Sequence, residues 1–207
     1  MTDDLPPEIA SWFAGRGWRV RKHQSEMLEV ARSGRHALLV ADTGAGKTLA
    51  GFLPTLADFC PSQGTDAPPS DTLHTIYVSP LKALAHDVQR NLVAPVEEMG
   101  LPIRIETRSG DTPSDRKRRQ RERPPNVLLT TPESLSLLLS YPESLDMFAG
   151  LKRIVVDEIH AFATGKRGDL LALGLARLQA LAPELQRVAL SATLAEPEAF
   201  REWLPPW

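Results

Sequence analysis

Residues 38–52 read LLVADTGAGKTLAGF, and the fold turns on how that stretch is understood. It runs from apolar residues without alternation into a glycine-bearing turn, and then into a second apolar pattern. An unbroken apolar run before a turn suits a strand covered on both faces, as in a parallel sheet. Gly44 and Gly46 allow backbone geometry that other residues resist. The turn formed by Thr43, Gly44, Ala45, Gly46, Lys47 and Thr48 directs its N–H groups, and the positive end of the following helix, toward one point. That arrangement suits an anion. ADTGAGKT (41–48) fits the phosphate-loop pattern with Ala41 in place of the first glycine. At that spacing Lys47 reaches β- and γ-phosphates, and the Thr48 hydroxyl is a ligand for Mg²⁺.

Outward from this loop, strand patterns alternate with helix patterns, the mark of an α/β chain with a largely parallel sheet flanked by helices on both faces. Strands are expected at 36–41, 74–79, 103–107, 126–130, 153–157 and 187–191. Helices are expected at 24–33, 47–59, 81–99, 132–140, 169–181 and 196–204. Residues 60–72 are rich in Pro, Ser and Gly and read as an exposed loop inserted between a helix and a strand.

A phosphate loop does not hydrolyse anything by itself. RIVVDEIH (153–160) supplies an apolar strand that ends in two adjacent carboxylates. The C-terminal edge of a parallel sheet is where α/β folds bind ligands. Asp157 is therefore assigned to Mg²⁺ and Glu158 to the attacking water. An isolated Asp-Glu pair would be only a helix cap. Coupled to the upstream loop, the two motifs make an NTPase site with Lys47, Asp157 and Glu158 as its catalytic groups.

Composition bounds the setting. The 207 residues are 42% hydrophobic and 24% charged, enough for one well-buried domain with a net charge of only −2. Any nucleic-acid surface must be a local patch. No apolar run approaches the roughly 20 residues that span a bilayer, and the acidic first residues lack a signal-peptide layout, so a cytoplasmic protein without membrane contact is expected. Cys60 is the single cysteine and reads as packing. The four tryptophans, Trp12, Trp18, Trp203 and Trp207, lie near the ends and also read as packing. Ser114–Arg123, the most basic stretch, is balanced between a contact to duplex and a solvated helix face.

With ADTGAGKT upstream, DEIH at 157–160 and SAT at 191–193, the chain resembles the first RecA-like domain of a superfamily 2 DExH-box helicase. SPLKALAHDVQRNL (79–92), TRSGD (107–111) and TTPE (130–133) resemble its motifs Ia, Ic and Ib. The finer resemblance is to the Lhr-like group, and within it to the bacterial ligase-associated DEXH-box helicases of the DNA damage response, on SPLKALA, TRSGDTPSDRKRRQ, TTPESLSLLLSYP and KRGDLLALGLARL.

The resemblance implies roles. Gln24 would read adenine, with Arg21 against the base, in an N-terminal helical segment over 1–35 that precedes the RecA-like domain of 36–207. An amide suits this task because it both donates and accepts. His160, Ser191 and Thr193 would couple nucleotide state to the rest of the motor. Pro80, Leu81, Lys82, Arg108, Gly110 and Thr131 would hold the sugar-phosphate backbone through hydroxyls, N–H groups and cations, leaving bases unread. The implied partners are single-stranded DNA with flanking duplex, a second RecA-like domain in cis, and a DNA ligase or nuclease, and the implied polarity is 3′ to 5′. The residues themselves suit RNA as well as DNA.

That second domain would supply the arginine finger. This chain is expected to be an N-terminal motor fragment that binds ATP–Mg²⁺ weakly, hydrolyses slowly and does not unwind duplex alone. A kinase or transporter ATPase is disfavoured by DEIH and SAT. A short binding module with a phosphate loop but no turnover stays open.

Overall fold

A computed structural model describes residues 5–42, 44–63, 68, 71–80, 89–142, 145–162 and 165–192. Its frame is a six-stranded sheet of β1 (Ala37–Val40), β2 (Thr75–Val78), β3 (Ile105–Arg108), β4 (Val127–Thr130), β5 (Arg153–Val156) and β6 (Gln186–Ser191). Every pairing is parallel and the order is β1-β6-β5-β2-β4-β3. All six C-terminal ends therefore lie along one edge of the sheet. The SAT strand does lie between the phosphate-loop strand and the DEIH strand.

Among the described residues seven α-helices accompany the strands: α1 (Pro7–Gly15), α2 (Lys22–Arg32), α3 (Lys47–Asp58), α4 (Ala94–Met99), α5 (Ser114–Glu122), α6 (Pro132–Ser140) and α7 (Lys166–Leu181). Alternation along the strands explains the two cores. Tyr77, Val155 and Leu190 face one side and pack with Phe52, Leu53 and Leu56 of α3. Ile76, Ile154 and Ala189 face the other and pack with Leu135 and Leu138 of α6 and Leu171, Leu175 and Leu178 of α7. Both faces are dry, which is why the strands read as continuous apolar runs.

Two helices have bounds that no apolar period marks. α5, SDRKRRQRE, has no apolar period, and Gln120 is its one buried residue. α1 is short and opens on proline, and it buries Ile9, Trp12 and Phe13. Within the helix expected at 81–99, a π-turn (Gln89–Val93) leads into α4, and the rest lies outside the described residues. The helix expected at 196–204 lies outside them too. Trp12 and Trp18 pack edge to face, Arg16 lies over both rings, and Trp12 Nε1 donates to Glu98 at 2.7 Å. Trp203 and Trp207 lie outside the described residues. Cys60 is buried, and burial pushes its thiol up to about 12, as befits packing.

At the opposite edge of the sheet, polar groups are buried together. Arg153, 1% exposed, donates to Thr55, to Asp58 Oδ2 at 2.9 Å and to Gln186 at 2.9 Å. Lys152 reaches Asp58 Oδ1 at 3.0 Å, and His74 Nε2 stands 3.4 Å from Asp58 Oδ2. Among the described residues no helix is long and apolar enough to cross a membrane.

Candidate functional site

β1 delivers the chain to the phosphate loop at one end of the C-terminal edge. Gly44 (φ 81°) and Gly46 (φ 79°) both take the left-handed conformation, as the sequence demanded of them. Gly46 caps α3, so the first amides of that helix open onto the loop. Lys47 is buried, and its Nζ donates to the Asp42 carbonyl at 3.1 Å. The ammonium thus lies folded into the hollow that its own loop encloses. Thr43 lies outside the described residues.

Arg21 and Gln24 stand against this loop. Arg21 Nη1 donates to the Gly44 carbonyl at 3.3 Å. Gln24 is buried at the start of α2, where its Oε1 accepts from the Arg21 N–H at 2.9 Å. A side chain at Gly46 would come within 3.2 Å of Gln24 Nε2. The amide and the phosphate loop are thus in direct contact across more than twenty residues of sequence.

Two strands away along the sheet, β5 ends in Asp157 and Glu158. Asp157 is buried, and both its oxygens are occupied. Oδ2 accepts from the Tyr77 hydroxyl, and Oδ1 accepts from the Glu158 N–H at 2.9 Å. Burial pushes the Asp157 carboxyl above its ordinary value; the Tyr77 hydroxyl opposes that shift and Glu158 adds to it. Glu158 has φ 48°, the only positive φ outside glycine among the described residues. That unfavourable backbone is a strain of the kind that functional sites hold.

The Thr48 hydroxyl lies close to the same Tyr77 hydroxyl that holds Asp157. Thr48 and Asp157 therefore converge on one spot beside the loop. Their hard oxygen donors fit Mg²⁺, which takes one or two protein ligands and completes its shell with water and phosphate. No cluster of three or more potential metal-ligating His, Cys, Asp or Glu occurs among the described residues.

β6 lies between these two motifs. Its Ser191 carbonyl accepts from the Ala41 N–H at 3.1 Å, and its hydroxyl is 2.9 Å from His160 Nδ1. His160 Nδ1 is in turn 3.3 Å from Glu158 Oε2. Phosphate loop, SAT strand, His160 and Glu158 thus form one connected series. Thr193 lies outside the described residues.

The other half of the edge carries the strand-side candidates. Thr131 caps α6, its Oγ1 accepting from the Ser134 N–H at 3.4 Å. Gly110 is exposed, and its carbonyl accepts from Lys117 Nζ at 2.9 Å. The Pro80 carbonyl accepts from Arg167 at 3.1 Å, and Leu81 and Lys82 lie outside the described residues. Arg108 corrects the expectation of a side-chain contact. It is 1% exposed, turned inward, and donates to the Lys117 carbonyl and to Gln120. A buried guanidinium needs such acceptors, and α5 brings them.

Several basic residues of α5 also find partners within the chain. Arg116 and Arg119 both reach Glu106, at 3.3 and 3.0 Å. Arg118 pairs with Glu122, and Arg121 lies 4.6 Å from the Tyr141 ring centre.

Two residues of the edge were given no site role from sequence. Tyr77 sits in the apolar strand TIYV, and a buried phenol needs a partner, which is the signal that marks it. Arg167 stood in KRGD, but nothing in the sequence named its partner Glu133.

A family profile described as DEAD/DEAH box helicase matches residues 21–200. The chain is 38% identical over 200 residues to "ATP-dependent helicase Lhr-Core protein 2" of Thermococcus barophilus, covering 92% of this chain and 23% of that protein. It is 42% identical over 209 residues to "Lhr helicase/ probable uracil glycosylase" of Mycolicibacterium smegmatis, covering 93% of this chain and 13% of that one. Among solved structures it is similar to the Mycobacterium smegmatis helicase Lhr bound to ssDNA and AMP-PNP, with a TM-score of 0.81 and 39% identity over 95% of this chain and 26% of the other. The chain therefore spans between 13% and 26% of the length of these relatives.

Proposed function

The chain belongs to the DEAD/DEAH box helicase family, with Lhr-type helicases among its relatives, and from that premise we propose that it is the ATP-binding motor domain of an ATP-dependent, 3′-to-5′ DNA translocase that works in DNA repair. One observation carries the reading. The C-terminal edge of the sheet is divided, with the nucleotide motifs on β1, β6 and β5 and the strand-side motifs on β2, β4 and β3. A motor needs that division, because nucleotide chemistry in one half must move a grip in the other.

In this reading ATP enters beside Gly44 and Gly46, with its phosphates against the first amides of α3. Lys47 exchanges the Asp42 carbonyl for the β- and γ-phosphates. Gln24 reads adenine next to the loop, and Arg21 lies against the base. Thr48 and Asp157 would hold Mg²⁺, which when bound neutralises phosphate charge. Glu158 orients the attacking water, and the His160–Ser191 contact reports the state of that carboxylate to the phosphate-loop strand. A second RecA-like domain in cis supplies the arginine finger, worth on the order of 10³–10⁵ in rate. Thr131, Gly110 and the Pro80 turn hold phosphates of one strand, with Leu81 and Lys82 completing that grip. DNA as the polymer, and a ligase or nuclease as companion, follow from family resemblance.

Nucleotide selectivity tests the nucleotide half. A fluorescent ATP analogue titrated with Mg²⁺ should be displaced by ATP but not by GTP. Lys47→Ala should abolish binding, and Gln24→Ala should remove the preference for ATP. Equal displacement by GTP in the unaltered protein would refute the adenine assignment.

A further inference from the structure

We infer that Arg167 is the positioning residue that ties the hydrolytic half of the sheet edge to the strand-gripping half. This rests on the motor reading above and deepens it.

Arg167 lies in the first turn of α7 and touches three elements. Its Nε and Nη2 donate to the two oxygens of Glu133, at 2.5 and 3.3 Å, in a forked pair. Nη2 also donates to the Pro80 carbonyl at 3.1 Å, and the guanidinium lies 5.7 Å from the Phe162 ring centre. Glu133 opens α6 two residues after Thr131, and Pro80 follows β2. Phe162 closes the 3₁₀ turn Ile159–Phe162, directly after Asp157 and Glu158. One side chain therefore spans β5, β2 and β4, the junction of the two halves.

Its base is rigid. Phe162 is buried, and a Cβ on Gly168 would lie 2.1 Å from the Phe162 carbonyl oxygen. The turn after the acids and the first turn of α7 are thus in backbone contact, and a shift of one carries the other. Arg167 transmits that shift upward to α6 and to the Pro80 turn.

Electrostatics gives the fork a second use. An unpaired Glu133 beside Thr131 would repel a phosphate held there. Arg167 bonds to that carboxylate and holds it below its ordinary value. With Nε and Nη2 directed to Glu133 and Pro80, Arg167 acts on the strand through those groups. A lysine has the charge but not the fork, so it cannot replace it.

The test uses the longer protein that carries this domain with its second RecA-like domain. ATPase is measured against single-stranded DNA concentration for the unaltered protein, Arg167→Ala, Arg167→Lys and Glu133→Gln, with thermal melting of each. Each variant should keep basal turnover and melting near the unaltered protein. Each should need about five-fold or more DNA for half-maximal stimulation, Arg167→Lys nearly as much as Arg167→Ala. Arg167→Lys matching the unaltered protein, or Glu133→Gln responding at lower DNA, would show direct phosphate contact by Arg167 and overturn the inference. No stimulation of the unaltered protein would instead refute the motor reading, and the inference would fall with it.

Discussion

The Tyr77 hydroxyl donates to Asp157 Oδ2 and lies close to the Thr48 hydroxyl, so a phenol on β2 stands behind the two proposed Mg²⁺ ligands of β5 and α3. Tyr77 is 1% exposed and packs in the same core as Phe52 and Leu190. Its ring cannot turn away without opening that core, so the hydroxyl is held where Asp157 needs it. Groups that orient a metal ligand from behind influence metal affinity nearly as much as the ligand does.

Tyr77→Phe keeps the ring and removes the bond. The Mg²⁺ concentration for half-maximal ATPase should rise roughly ten-fold, while melting changes little. A Mg²⁺ dependence equal to that of the unaltered protein would show that Asp157 needs no such support.

Two glycines of α7 should respond in opposite directions. Gly168→Ala drives a Cβ into the Phe162 carbonyl at 2.1 Å, a backbone atom that cannot give way. It should cost about 1–3 kcal/mol in urea unfolding. A Cβ at Gly174 would meet Leu139 and Leu135 at 3.7 and 3.8 Å, ordinary contact. Gly174→Ala should therefore stabilise by up to about 1 kcal/mol through helix propensity.

Acid should weaken the fold through the edge opposite the site. Burial works against the Asp58 carboxylate, but His74, Arg153 and Lys152 outweigh it and hold the carboxyl well below its ordinary value. Burial also lowers His74, with Asp58 opposing. The unfolded chain thus takes up protons first, at His74 below about pH 6.5 and at Asp58 below about pH 4. Stability from both groups is complete above about pH 6.5 and is lost as pH falls toward their folded values. Urea midpoints should drop steadily from pH 7 to pH 3. Asp58→Asn should cost about 3 kcal/mol at pH 7, because it leaves Arg153 buried without its anion, and should flatten the acid end of the profile.

Much of this was legible in LLVADTGAGKTLAGF and RIVVDEIH, because an apolar strand, a glycine turn and adjacent acids have local requirements that the chain itself displays. Six strands and the start of α3 fell within a few residues of their expected places. The bounds of α5 were not legible because its single buried residue leaves no period to detect. Arg108 was misplaced because a guanidinium in TRSGD gives no sign that the Lys117 carbonyl and Gln120 will meet it. The fork from Arg167 to Glu133 joins residues from separate helices, and only the parallel order of β5, β2 and β4 brings them together.

The central claim is that this edge turns ATP hydrolysis into a grip on one nucleic-acid strand. ATPase with and without single-stranded DNA tests it most directly, measured on this chain, on the longer protein with the second domain, and on Glu158→Gln in each. The account predicts low, unresponsive turnover for this chain, strong stimulation of the longer protein, and loss of that turnover by about 10³-fold or more in Glu158→Gln. Turnover in the longer protein that ignores DNA, or that survives Glu158→Gln, would contradict it.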